Sequence, residues 1–169
     1  IKVEETRIGD QDRSVIGIFD PEENNFNLHM WAQTDGEDIK KLLKRIDKLN
    51  LSKLSEDLLF KVLFTNAYPP RVNLTSDEFL KIKINWLIKN HRFKDLENLL
   101  QINPRVGQEV KVVKSLVDEY LSSSDIKSAC EKVSLISKDV QNNYLDKFII
   151  YCLIKDDRKN EAQLILDLL

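Results

Sequence analysis

The chain has 169 residues, 26 of them basic and 28 acidic, for a formal net charge of −2. A length near one typical domain is enough to bury a core without metals or disulfides, and the near-balance of charge argues against a nucleic-acid binder, which usually shows a basic excess. With 42% hydrophobic and 32% charged residues it reads as neither membrane-embedded nor disordered, and only four glycines and four prolines predict long helices with short connections.

Residues 1–33 read as an extended N-terminal arm. Residues 14–19 (Ser-Val-Ile-Gly-Ile-Phe) form a β-branched apolar run with strand character, and the turn-rich Asp20-Pro21-Glu22-Glu23-Asn24-Asn25 follows. Phe26, Leu28, Met30 and Trp31 add apolar weight. Trp31, with Met30 and Leu28, is expected to dock the arm on the first helical hairpin.

From residue 34 the chain reads as helical. Thr34-Asp35-Gly36-Glu37 fits a capping box with Thr34 as N-cap, followed by Ile39, Leu42, Leu43, Ile46 and Leu49 at helical spacing. A second helix is expected from about residue 55 to 67, ended by Tyr68-Pro69-Pro70, because proline lacks an N–H and disfavours the α region in its predecessor. Thr75-Ser76-Asp77-Glu78 is another capping box, opening a third helix that reaches about Asn90.

Residues 76–169 then repeat with a period of 33. Phe79, Val112 and Leu145 share one column; Ile84, Val117 and Ile150 another; Ile88, Leu121 and Ile154 a third. Leu96, Ala129 and Ala162, and Leu100, Val133 and Leu166, complete five apolar columns in one register. Each unit reads as helix, turn, helix, with turns at Asn90-His91-Arg92, Ser122-Ser123-Ser124-Asp125 and Lys155-Asp156-Asp157-Arg158. Helical pairs at this period predict an all-α, tetratricopeptide-like solenoid of αα-hairpins. About four hairpins would span residues 34–169, the first made by the helices of residues 35–67. The Trp-Leu-Gly-Tyr signature of tetratricopeptides and the Thr-Pro-Leu-His turn of ankyrins are both missing, so the expectation is a generic αα repeat. No initiator Met precedes Ile1, and residues 164–169 form an apolar helical run with no glycine and no basic last turn. The reading is therefore of a longer polypeptide that continues past Leu169. No signal peptide and no apolar span of eighteen residues is present.

No usual catalytic pattern accompanies the two histidines, His29 and His91. The chain lacks a nucleophile elbow, a Gly-rich phosphate loop, a His-Glu-x-x-His and a Cys-x-x-Cys. The expectation is no catalytic residues, no metal, no cofactor and no enzyme activity. A sharper candidate is the column Lys81, Lys114 and Lys147 on the polar side of the first helix of each pair, with Lys111, Asp118, Tyr144 and Tyr151 nearby. Successive repeats align such positions on one surface, so the lysines either offer a row of donors to acidic groups or simply keep a helix face solvated. Trp31 and Trp86 are either interface anchors or, more simply, packing residues.

Cys130 and Cys152 fall in neighbouring helices joined by a turn near Lys138 to Gln141. The midpoint of the pair is 141, which places the thiols at similar heights in an antiparallel hairpin. In a reducing compartment they are two small apolar side chains; in an oxidising one the pair can bridge if the Cα atoms come within about 7 Å.

Residues 15–20 (Val-Ile-Gly-Ile-Phe-Asp), the run from Phe26 to Trp31 ahead of a capped helix, and the run from Leu63 to Pro70 are similar to an uncharacterised family of exported alphaproteobacterial helical-repeat proteins. The Met-Trp-x-x-Thr motif of that family reads Met30-Trp31-Ala32-Gln33-Thr34 here, followed by Ala67-Tyr68-Pro69-Pro70 and later by Ala129-Cys130 and Tyr151-Cys152. Members look like proteins with a signal peptide, a Pro/Ala-rich lead and a helical body. The match covers most of the chain, whose lysine-rich, alanine-poor composition departs from the Ala-rich members. The resemblance implies a periplasmic or envelope-associated location in a bacterium and brings no catalytic residues.

The expected function is that of a non-enzymatic helical scaffold or adaptor of the bacterial envelope that binds another protein, within an envelope assembly, through Lys81, Lys114, Lys147, Tyr144 and Tyr151. Two alternatives stay open: a helical accessory domain of a larger envelope enzyme, such as a peptidoglycan-cleaving one, and a cytosolic regulatory adaptor.

Overall fold

The computed structural model describes residues 15–103, 107, 109–134 and 142–168. Among them the fold is all-α, with eight α-helices, a short 3-10 helix at Glu22–Asn24 and only isolated β-bridges. The chain divides into two compact units, Ile1–Asn90 and His91–Leu169. No helix among the described residues is long and apolar enough to cross a membrane.

The first unit holds α1 (Gly36–Ile46), α2 (Lys53–Phe64) and α3 (Ser76–Lys89). Its core is aromatic: Phe60 and Phe64 of α2 meet Trp86 of α3 at ring separations of 5.7 and 5.6 Å, and Phe19 packs edge-on against Phe60. Trp86 is thus a packing residue, one of the two roles open to it. Trp31 meets Phe79 of α3 at 5.8 Å, where the expected contact was the first hairpin. The described part of the arm is pinned by backbone bonds to the exit of α2: Ile16 N–H to Ala67 O, Ile18 N–H to Phe64 O, and Asn66 N–H to Phe19 O. Gly17 permits this approach, since a Cβ there would stand 2.5 Å from Asn66 N and 2.6 Å from Thr65 C.

These contacts correct two helix boundaries. Helix α2 ends at Phe64, three residues before the expected end, because Thr65 turns extended (ψ 136°) and the next residues pair with the arm; the prolines lie downstream of that event. Helix α1 is capped by Asp35, not Thr34. Its carboxylate accepts from Glu37 N–H at 2.8 Å and from Asn73 Nδ2 at 2.8 Å, so a partner 38 residues away selects the cap. The second capping box is as expected: Glu78 N–H donates to Thr75 Oγ1, and Thr75 N–H donates to Glu78 Oε2.

The second unit holds α4 (Phe93–Ile102), α5 (Val110–Ser122), α6 (Ile126–Val133), α7 (Asn143–Lys155) and α8 (Lys159–Leu166). Helix α5 packs on α6, α6 on α7 and α7 on α8. Val113 and Val117 of α5, Ala129 and Val133 of α6, and Leu145 and Cys152 of α7 form one buried cluster. A polar cluster ties α4 to the same body: Lys132 Nζ lies 2.5 Å from Glu97 Oε1, and Glu97 accepts the Tyr120 hydroxyl. Burial first, and that bond second, push the Tyr120 phenol well above its usual range.

The turns recur in geometry. His91, Ser124 and Asp157, each 33 residues from the next, adopt the left-handed conformation with φ of 53°, 61° and 59°. At the second and third turns the same two bonds close the helix: Ser124 N–H to Leu121 O and Asp125 N–H to Tyr120 O, then Asp157 N–H to Ile154 O and Arg158 N–H to Leu153 O. This is the Schellman arrangement, which satisfies the last carbonyls of a helix. The residue after each left-handed one then reaches three positions forward: Arg92 to Asp95, Asp125 to Ser128, and Arg158 to Glu161. The columns Phe79, Val112, Leu145 and Leu96, Ala129, Ala162 are buried throughout; Leu166 is 53% exposed where Leu100 and Val133 are buried.

Candidate protein-binding face

Helices α5 and α7 meet through a polar contact. The Tyr144 hydroxyl at the start of α7 donates to Asp118 Oδ1 on α5 at 2.5 Å, and Lys114 Nζ sits over the Tyr144 ring at 5.1 Å. That hydrogen bond first, and partial burial second, push the Tyr144 phenol up to about 12. The reasons for this placement are local. Asn142 caps α7 by accepting from Leu145 N–H, and Asp146 accepts from Asn142 N–H, which fixes the first turn and the direction of Tyr144. One and two turns further along α7 lie Lys147 and Tyr151, both exposed, with Tyr151 stacked on Phe148 at 5.8 Å. Phe148 in turn packs against the buried cluster.

The structure therefore brings Lys114, Tyr144, Lys147 and Tyr151 to the exposed sides of α5 and α7 in one unit. Lys81 is also exposed, on α3 of the first unit. Phe148 was not singled out in the sequence, although its i, i+3 relation to Tyr151 and i+4 relation to Tyr144 mark it as part of the same row. Tyr144 and Tyr151 are 40% and 46% exposed, large aromatics held in solvent by rigid helices.

Cys130 of α6 and Cys152 of α7 are joined in a disulfide, with Cα atoms 5.7 Å apart. The bridge fastens α7, which carries the aromatic row, to α6. The connection expected near Lys138 to Gln141 lies outside the described residues. Among the described residues no group of three or more His, Cys, Asp or Glu side chains is placed to hold a metal ion.

One titratable group escaped the sequence reading. Lys83 of α3 has no exposed surface; its ammonium donates to Ile16 O at 2.5 Å and lies 4.5 Å from the centre of the Phe79 ring. Burial lowers its pKa from 10.5 to about 7. Spacing alone carries the signal, since Phe79, Leu80, Lys83, Ile84 and Leu87 form one apolar stripe with a lysine in its middle.

No known family, no curated protein and no solved structure matches the chain.

Proposed function

We propose that the chain is a non-enzymatic helical-repeat scaffold of the bacterial cell envelope that binds another protein. The repeat is an αα-hairpin of 33 residues, tetratricopeptide-like in length, preceded by the arm expected over residues 1–33, of which 1–14 lie outside the described residues. What supports it is the recurrence of one turn geometry at His91, Ser124 and Asp157 beside columns of buried residues at the same spacing. Solenoids of this kind bind along the continuous surface of successive repeats.

The observation that carries the binding role is the α5–α7 face, where exposed aromatics and lysines are held in place by Tyr144–Asp118 and by packing of Phe148. Exposed tyrosines on a rigid support supply contact area at little entropic cost. Lys81 holds the equivalent position of the 33-residue register on α3 of the first unit. Envelope location rests on the Cys130–Cys152 disulfide, since such bonds persist in oxidising compartments, together with the proposed kinship to exported repeat proteins.

The test is the triple variant Lys81→Glu, Lys114→Glu, Lys147→Glu. It should lose the partner captured by the wild-type chain while keeping its helical circular dichroism. Unaltered capture would refute the role of the lysine face.

A further inference from the structure

We infer that the α5–α7 face takes an acidic segment of the partner, its carboxylates on Lys114 and Lys147 and its apolar side chains on the Phe148–Tyr151 stack. This rests on the protein-binding reading and adds the chemistry of the partner. The chain as a whole is acidic, at −2, yet this face is not. Lys111 and Lys114 on α5 and Lys147 on α7 are exposed there. Asp118, the acid between them, already accepts the Tyr144 hydroxyl. Asp146, beside Lys147 in sequence, accepts the Asn142 N–H at the head of α7. Each carboxylate keeps its charge while its oxygens serve donors of the fold, so the three lysines outnumber the two acids named on this face by one.

The way Lys114 is held matters as much as its charge. An aromatic ring orients an ammonium without neutralising it, so the Lys114 donors stay available to an incoming carboxylate. Asp118 acts as a positioning residue: it fixes the Tyr144 ring through the hydroxyl, and the ring fixes the lysine. An acidic partner would gain orientation and association rate from such a surface, with strong salt dependence. The neighbouring tyrosine at position 151, 46% exposed and braced by Phe148, supplies the apolar contact that a purely solvated lysine face lacks.

The probes are two fluorescent peptides of about 12 residues, one repeating Glu-Tyr-Glu-Pro and the other Lys-Tyr-Lys-Pro, titrated by polarisation against the full chain at low and high salt. The acidic peptide should bind and the basic one should not. Lys114→Glu with Lys147→Glu should weaken the acidic peptide at least about tenfold. Lys127→Glu, an equally simple charge reversal on exposed α6, should leave it unchanged. Asp118→Ala should weaken binding several-fold, and Asp118→Asn, which removes the same charge but keeps an acceptor for the Tyr144 hydroxyl, should restore it; equal affinity of the two variants overturns the positioning role. Equal affinity for both peptides, no binding at millimolar concentration, or equal loss in Lys127→Glu overturns the inference. A partner that cross-links at this face through a segment without acids overturns the inference alone and leaves the protein-binding reading intact; no partner at all overturns that reading.

Discussion

Replacing Lys83 by methionine should stabilise the first unit at neutral pH. The amine is fully buried between Phe79 and Phe64, one hydrogen bond from Ile16 O, and burial holds its pKa at about 7 against 10.5 in an exposed lysine. The folded pKa lies below the unfolded one, so between pH 7 and 10.5 the unfolded chain binds a proton that the folded chain has released. Stability from this group therefore rises with pH across that window and is flat below it. At roughly 1.4 kcal/mol per unit, the full window amounts to about 5 kcal/mol, of which about 3 falls between pH 7 and 9.5. Methionine, one heavy atom shorter, keeps most of the packing while removing the charge, but leaves Ile16 O without its donor, a loss of about 1–3 kcal/mol. The net expectation at pH 7 is a gain of about 2–4 kcal/mol. Urea unfolding followed by tryptophan fluorescence is the assay, because Trp31 and Trp86 both lie in the first unit. The wild type should gain stability from pH 7 to 9.5, and Lys83→Met should lose that slope. A variant less stable than wild type at pH 7, or two parallel pH profiles, would refute the reasoning.

Three further outcomes follow from the packing. Gly17→Ala should destabilise the first unit by about 2 kcal/mol or more, read by thermal unfolding, since its Cβ would collide with the backbone at Thr65 and Asn66. Cys130→Ala with Cys152→Ala should cost the second unit about 3 kcal/mol, the chain-entropy value for a bridge across 22 residues, and reduction of the wild type should reproduce the loss in a denaturation curve. Ser124→Gly should stabilise the same unit by about 0.5–1 kcal/mol, because Ser124 sits at φ 61°, a conformation that glycine adopts without the Cβ penalty; a lower melting temperature would contradict it.

Features set by neighbouring residues were legible in the sequence, and those set by distant ones were not. The Thr75–Glu78 box is local and was read directly, as were the helix–turn–helix junctions at residues 90–92, 122–125 and 155–158. The cap of α1 went to Asp35 because Asn73 approaches from across the unit, and α2 stops early because the arm captures residues 65–67. Lys83 illustrates the same limit. Its place on an apolar stripe was written in the spacing, but the Ile16 carbonyl that receives it lies 67 residues away. At the candidate site the side of the helix was readable for Lys114, Tyr144, Lys147 and Tyr151. The bond from Tyr144 to Asp118, which joins α7 to α5, was not, because nothing in the spacing says which neighbour a tyrosine hydroxyl will choose. Left-handed His91, Ser124 and Asp157 were hidden for a different reason: none is the glycine that usually announces such a turn.

The most direct test of the proposed role is site-specific photo-cross-linking in the native host, with the reactive side chain placed at position 151 or, for comparison, at position 127 on α6. The α5–α7 binding face requires one defined cross-linked partner from position 151, none from 127, and loss of that product when Lys114 and Lys147 are reversed to glutamate. Equal products from both positions, or none from 151, would contradict it.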